Sequence, residues 1–397
     1  MTLMTVSAVK ARILYGVTPL GSEVVSIYEA ETRILAADLT ARLTQPPFRA
    51  SAMDGYAVRA ADIGTIPARL RVVGRSAAGH GFTGKVGPKE AVRIFTGAPV
   101  PEGADTVVIQ ENVEAGAEDA VTILEGAKSG QFVRPLGYDF RKGDVLLRAG
   151  TRLGSRHLML AAAMNYPEVP VRRKPVIAVL ANGDELVRPG TKPSPDQIVS
   201  SIPAGMKAAI SAWGGETQVL EIAADTKESI AARAEAASGA DVLLTIGGAS
   251  VGEHDLVRGV LEERGARFEV LKAAMRPGKP VMFGFIGMQR VLSLPGNPVS
   301  AIICARVFLK PLINAFLGLD PSEPFQEKPL ACAVEANGSR EHYMRGVTSA
   351  GEAVTPIADQ DSSLMYAFAN ADCIIIRPVN AAPLPAGALV PVMPLDF

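Results

Sequence analysis

The sequence predicts an α/β multidomain protein, built on a doubly wound, mostly parallel α/β domain. An inserted small β domain, a discontinuous α+β linker domain and a C-terminal β domain accompany it. Three observations carry this reading. The chain has 397 residues, more than one core usually holds. Between Pro175 and Leu317, near-continuous Val/Ile/Leu runs alternate with helical stretches, the pattern of parallel strands buried on both faces. From Gln45 to Arg141 the texture is rich in Gly and Pro, with short β-type runs between turn residues.

Taken in chain order, residues 1 to about 42 read as a helix, a short strand near Val24–Ile27 and a second helix ending around Leu39. The β insert, 45–141, supplies the runs Leu70–Val73, Ala91–Phe95, Thr106–Gln110 and Val121–Leu124. A strand and a helix return at Asp144–Leu153 and Arg156–Met164, with the texture of the opening segment. Residues 1–44 and 142–173 therefore read as one discontinuous α+β domain. The α/β domain, 174–319, has strands at Val176–Leu180, Val219–Ile222, Val242–Ile246 and Val291–Leu294. Its helices fall at Ala204–Trp213, Lys227–Ala237, Asp255–Arg264 and Val299–Leu317. Strands and turns resume in 320–397.

Composition narrows the function classes. Hydrophobic residues make up 48% and charged residues 20%, as in a folded globular protein. Forty basic against 41 acidic residues, with no Lys/Arg stripe, argue against a nucleic-acid partner. Arg172, Arg173 and Lys174 read as a solvated run. Cys304, Cys332 and Cys373 show no C-x-x-C spacing, so a disulfide framework or zinc knuckle is not expected and a reducing compartment is. Cys304, in the apolar run Ala301–Cys304, reads as core. Lys10 and Arg12 interrupt any signal-type apolar region, and the uncharged stretch Pro378–Leu395 is broken by prolines. A cytoplasmic protein with no membrane partner is expected.

In open α/β sheets, ligands bind beyond the carboxyl ends of the strands. After Val176–Leu180 comes Ala181-Asn182-Gly183-Asp184-Glu185-Leu186. Adjacent carboxylates there suit a hard cation such as Mg²⁺, although Asn-Gly-Asp also reads simply as a turn. After Val242–Ile246, Gly247 and Gly248 let the backbone approach a ligand, and the next helix start offers free N–H groups to an anion. Walker A and dinucleotide fingerprints are both absent. Ser250 and Glu253 satisfy a capping box, which leaves Asp255 the better functional candidate and His254 incidental. Arg276-Pro277-Gly278-Lys279-Pro280 sets two cations in a stiff loop suited to an oxyanion. In Leu294-Pro295-Gly296-Asn297-Pro298, Asn297 reads as N-cap and Pro298 as the first helical residue, while Pro295-Gly296 makes a rigid turn. Within the insert, Asp54-Gly55 in Ser51–Ala57 is a hairpin signal, and Thr96–Pro101 is a proline-bounded turn.

In order and spacing, Ser51–Ala57, Phe95–Gly103, Gly183–Leu186, Gly247–Gly252, Pro277–Pro280 and Leu294–Ala301 resemble the MoeA family. These are molybdopterin molybdenumtransferases, related to the E domain of gephyrin, and the resemblance covers essentially the whole chain. It implies an elongated homodimer of four-domain subunits. The implied reaction inserts molybdenum from molybdate into the dithiolene of adenylylated molybdopterin, releasing AMP in a Mg²⁺-dependent step. A MogA-type adenylyltransferase and recipient molybdoenzymes are the implied partners. Matched by motif, Asp54, Asp184, Glu185 and Asp255 fall at catalytic positions, the last three also as metal ligands. Thr96, Asp139, Gly247, Gly248 and Ser250 fall at substrate positions, and Asp54 and Thr96 are expected to act across the dimer. Arg276, Lys279, Pro295 and Pro298 match the oxyanion and phosphate wall, and Arg345 and Ser362 resemble cleft positions from the terminal domain.

Departures from the family pattern qualify the activity. The segment Ile198-Val199-Ser200-Ser201-Ile202 ends in Ile where the family often has Asn. Asn182 replaces a common Thr, and Tyr138 a common Glu. One lost polar contact in a cleft costs about 1–3 kcal/mol of binding. Two other readings follow: a catalytically weak paralogue serving as a scaffold, and an α/β domain that itself adenylylates molybdopterin.

Overall fold

The computed structural model describes residues 3–116, 119–247, 256–322, 325–349, 352–395 and 397. The chain forms two compact units, Val24–Val171 and Met1–Glu23 with Arg172–Phe397. The opening residues thus group with the later part of the chain, where the sequence had suggested 1–44 with 142–173. The reason lies in α1 (Val6–Leu14), capped by the Thr5 hydroxyl, which buries Val6, Val9 and Ile13. It packs against the helix Lys310–Phe316 and the strand Arg267–Val270.

The second helix expected near Leu39 does not form. Ala30, Ile34, Leu35 and Leu39 are buried at helix-like spacing, but their segment bonds outward. Thr32 N–H donates to Leu153 O, Leu35 N–H to Thr151 O and Ala36 N–H to Pro170 O. Spacing alone could not separate a helix from an irregular segment pinned on one side.

Within Val24–Val171, the insert is a six-stranded sheet of β1 (Gly55–Val58), β2 (Ala68–Ser76), β3 (Glu90–Ile94), β4 (Thr106–Ile109), β5 (Val113–Ala115) and β6 (Ala120–Ile123). Its order is β4-β1-β3-β2-β6-β5, and only the β2–β3 pair is parallel. Ala57, Val92 and Val107 bury on one face, Val58, Ala91 and Val108 on the other. The Asp54-Gly55 hairpin is absent. Ala50-Ser51 pairs with Val133-Arg134, whereas β1 is an inner strand of the sheet. A side chain at Gly55 would run into the Val108 carbonyl, which explains the glycine without a turn. Helix α2 (Ser155–Ala163) flanks the insert on a core that includes Leu35, Phe140 and Val171.

The other unit continues with β7 (Val176–Ala181), α3 (Ile202–Trp213), β8 (Glu216–Val219), α4 (Lys227–Ala236), β9 (Val242–Ile246), α5 (Leu256–Glu263), β10 (Arg267–Val270), β11 (Met275–Arg276), β12 (Met282–Ile286), β13 (Gln289–Leu294), α6 (Pro298–Cys304) and α7 (Lys310–Phe316). The six-stranded order is β8-β7-β9-β13-β12-β10. Strands β8, β7, β9 and β13 are parallel, and the β12–β13 hairpin adds an antiparallel edge. Residues of β7 and β9 are almost wholly buried, as a sheet covered on both faces requires. Helices α4 and α5 cover one face through Ile230, Val257 and Leu261. Strand β8 begins three residues before the expected Val219 because, as an edge strand, it is largely exposed and lacks a continuous apolar run. The single helix expected over Val299–Leu317 divides at a π turn, Ala305–Leu309, just before Pro311, which cannot donate a backbone bond. That stretch is apolar enough to cross a membrane but is 83% buried inside the protein, as a core helix is.

The terminal sheet contains β14 (Gln326–Pro329), β15 (Glu341–Thr348), β16 (Val354–Pro356), β17 (Cys373–Arg377) and β18 (Leu389–Pro394), with the short helix α8 (Met365–Ala369). Strand β11 joins its edge in parallel with β15.

Candidate active site

Three neighbouring parallel strands end side by side and set the floor of the site. Strand β7 leads into Asn182, β9 into Gly247 and β13 into Pro295-Gly296. Asn182 N–H donates to Ile246 O, and Gly247 N–H to Leu294 O, so the exits stay laced together. Gly247 has φ +95°, and an added Cβ would lie 3.2 Å from Asn182 O and 3.4 Å from its Oδ1. Only a glycine leaves this floor open. The buried Thr245 and Ser293 hydroxyls, on β9 and β13, pair at 2.7 Å and so satisfy each other.

Asn182 is 8% exposed, and its Oδ1 has no hydrogen-bond partner among the described residues. Its Nδ2 donates to Asp225 Oδ1 at 3.1 Å, while Asp225 N–H donates to Asp184 Oδ1 at 3.0 Å. Asp225 was missed in the sequence. The signal was present, since it follows Ile222-Ala223-Ala224 at a strand exit as Asp184 follows β7. Glu185 holds the neighbouring Ile198 N–H through its backbone carbonyl. Among the described residues no three His, Cys, Asp or Glu side chains gather as a complete metal site. Gly248, Ser250 and Asp255 lie outside the described residues, as do Glu253 and His254.

On the far side of the floor, Asn297 occupies the N-cap position of α6, with Pro298 in the first turn. Its side chain makes no cap. Instead Nδ2 donates to Ser362 Oγ at 3.0 Å, and Val299 N–H donates to Ser362 O. Ser362 is therefore brought to the strand exits, and Pro295, at the end of β13, is buried.

Arg345 does not open onto the cleft. It is 1% exposed, and its guanidinium donates to Gln360 Oε1, Asp359 O and Leu364 O. Its donors are engaged by the loop that carries Ser362, so it positions that loop rather than meeting substrate. Arg276, at the end of β11, and Lys279, in the turn that follows, are exposed; the turn is held by Gly278 (φ +106°), where any side chain would strike Cys304 Sγ. Arg276 pairs in register with His342. Burial, then the charges of Arg276, Arg340, Arg345 and Arg377, push His342 down to about 4. Arg276 thus stands near three further guanidinium groups whose charges act on His342, a setting in which an oxyanion would be favoured.

The segment that departs from the family pattern divides between two grooves. Ser200 lines one of 560 Å³ with Lys207, Glu221 and Arg188, and Arg188 is tied to Glu221 at 2.8 Å. Ile202 lines an apolar groove of 320 Å³ with Ile302, Met365, Phe368 and Phe397.

In the Val24–Val171 unit, Asp54 Oδ1 accepts both the backbone N–H and the hydroxyl of Thr96. Those bonds, followed by the charge of Arg93, hold the Asp54 carboxyl below the usual carboxylate range. Its Oδ2 keeps no protein donor among the described residues. Asp139 sits apart in an exposed turn, anchored by its N–H on Gln45 O.

This geometry can be set beside known proteins. Family models match the chain as the MoeA N-terminal region (domain I and II) over 4–165, a probable molybdopterin binding domain over 178–315 and the MoeA C-terminal region (domain IV) over 328–395. The chain belongs to the MoeA family. It is 34% identical over 388 residues to the molybdopterin molybdenumtransferase of Haemophilus influenzae, covering 95% of each chain. To that of Bacillus subtilis it is 32% identical over 391 residues, covering 94% of this chain and 89% of the relative. Among solved structures, a molybdopterin biosynthesis MoeA protein from Pyrococcus horikoshii superposes with TM-score 0.86 at 32% identity, covering 100% of both chains. The MoeA fold places the strand-exit floor, the Ser362 loop and the Arg276 loop in one unit.

Proposed function

We infer that this chain is a molybdopterin molybdenumtransferase, acting in molybdenum cofactor biosynthesis on a molybdopterin substrate with molybdate. The observation that carries this is the glycine-floored strand exit: Asn182 is tied through Nδ2 to Asp225, and Asp225 to Asp184, leaving Oδ1 without a partner among the described residues, while Asn297–Ser362 closes the other side. Relatives carrying the transferase name favour turnover over a scaffold role.

The substrate is the adenylylated form, and AMP leaves as molybdenum enters. Asn182 Oδ1 accepts a hydrogen bond from the pterin, which removes the cost of burying it unpaired. Arg276 and Lys279 hold the oxyanion through charge-assisted hydrogen bonds. Ser362 orients a substrate oxygen from the Asn297 side. Asp54, ionised by Thr96, offers Oδ2 to take a proton from the dithiolene thiol or from water as AMP departs. Holding dithiolene and oxyanion together supplies most of the acceleration.

The donor chemistry suits a hard divalent cation, since the carboxylates of Asp184 and Asp225 share the strand exit. Asp184 and Glu185, with Asp255, would hold Mg²⁺, which when bound neutralises charge on the substrate's phosphate oxygens. The assembly is a homodimer in which Asp54 and Thr96 serve the partner's site. The protein is cytoplasmic, receives its substrate from a MogA-type adenylyltransferase and passes its product to molybdoenzymes.

The test is reconstitution. Purified protein, molybdopterin adenylate, Mg²⁺ and molybdate are mixed with a molybdenum-free apoenzyme. Molybdenum-dependent activity should appear. Its absence, with the substrate shown intact, would refute the transferase reading.

A further inference from the structure

A row of side chains crosses three strands of the β insert at one register. Tyr56 of β1 stands opposite Arg93 of β3, and Arg93 stands opposite Arg75 of β2. The Arg93 guanidinium lies 5.1 Å from the Tyr56 ring centre and 5.0 Å from that of Phe95. Arg75 lies 4.4 Å from the same Phe95 ring. Two guanidinium groups therefore share one aromatic side chain.

Charge accounting makes this row unusual. Like charges directly opposite on neighbouring strands repel. Among the described residues Arg93 hydrogen-bonds only to neutral acceptors, Gly55 O at 3.1 Å and Gln110 Oε1 at 2.7 Å, and the carboxylate its charge acts on is Asp54, without an ion pair between them. Arg75 is exposed and makes no ion pair among the described residues. Arg71, on the same strand, instead pairs with Glu90 at 2.5 Å. The nearby carboxylate of Asp54 turns Oδ1 to Thr96.

We propose that Arg75 and Arg93 bind the pyrophosphate group of the substrate beside Asp54. This rests on the transferase reading, whose substrate joins its two halves through a pyrophosphate. Stacking on Tyr56 and Phe95 holds the planar forks ready, so less freedom is lost when phosphate oxygens arrive. The β insert then supplies the substrate with a carboxylate and a phosphate clamp together.

Calorimetric titration of the full-length protein with inorganic pyrophosphate tests the site. Wild type should bind it. Arg75→Gln and Arg93→Gln should each weaken binding tenfold or more, Arg71→Gln should match wild type, and Arg75→Lys should recover part of the loss. Arg75 is exposed, so its variants keep the fold. In the AMP-release reaction, Arg75→Gln should raise KM for the adenylate with kcat nearly unchanged. Wild-type pyrophosphate binding in both glutamine variants, or none in the wild type, overturns the proposal. An unchanged KM alongside lost pyrophosphate binding also overturns it, by assigning the site to free phosphate. Loss of binding in the variants of a protein that releases no AMP would keep the phosphate clamp and refute the transferase reading.

Discussion

Thr96 closes on Asp54 with two donors to a single oxygen: its N–H and its hydroxyl each lie 2.7 Å from Oδ1. The charged carboxylate is thereby favoured, and both bonds leave Oδ2 without a Thr96 donor. Thr96→Val removes one donor to the charged form, so the Asp54 pKa rises. The acid limb of the pH profile of kcat/KM should move to higher pH. Asp54→Asn should abolish turnover while thermal unfolding stays near wild type. An unmoved acid limb would take Asp54 out of the rate equation.

Asp225 tethers the Asn182 amide and donates its backbone N–H to Asp184. Asp225→Ala frees the amide to turn, and one misplaced buried polar contact costs about 1–3 kcal/mol. KM for the adenylate should rise about tenfold or more, measured by initial rates of AMP release.

Arg345 should behave as a structural residue. Arg345→Met leaves the carbonyls of Asp359 and Leu364 without their guanidinium donors and Gln360 Oε1 with the backbone N–H of residue 345 alone. The expected loss is about 3 kcal/mol of stability, read by urea unfolding, together with a weaker apparent affinity for molybdate as the Ser362 loop loosens. Arg345→Lys should not restore it, because one ammonium cannot match the planar fork.

His342 gives the fold a pH signature. Its folded value, about 4, lies below the ordinary 6.5. As pH falls, the unfolded chain takes up this proton first. Stability is therefore full above about 6.5 and declines as pH drops towards 4, by an amount on the order of 3 kcal/mol. His342→Gln should flatten that slope in denaturant titrations across the window.

Ile202 packs with Met365 and Phe368 in the apolar groove, so an amide there finds apolar neighbours. Ile202→Asn should lower stability by about 1 kcal/mol and leave turnover unimproved. A clear gain in AMP release would mark Ile202 as a lost polar contact instead.

The parallel sheet was legible because its inner strands are buried on both faces and read as unbroken apolar runs, as in Val242–Ile246. The edge strand at Glu216–Val219 lacked that signal and was displaced. The segment around Ile34 showed helical spacing while its N–H groups bonded elsewhere. Strand-exit motifs pointed to Asp184, Gly247 and Pro295 because chemistry collects at such exits. Burial is a tertiary property, so the sequence could not separate Arg345, engaged in the interior, from Arg276, open to solvent. Asn297 likewise read as a cap until Ser362, distant in sequence, claimed its side chain.

The most direct test of the central claim is AMP release from adenylylated molybdopterin by the purified protein with Mg²⁺, with and without molybdate. Release that depends on molybdate, with one molybdenum retained per AMP, is the predicted result. Tight binding of the adenylate with no release at any molybdate concentration would contradict the account.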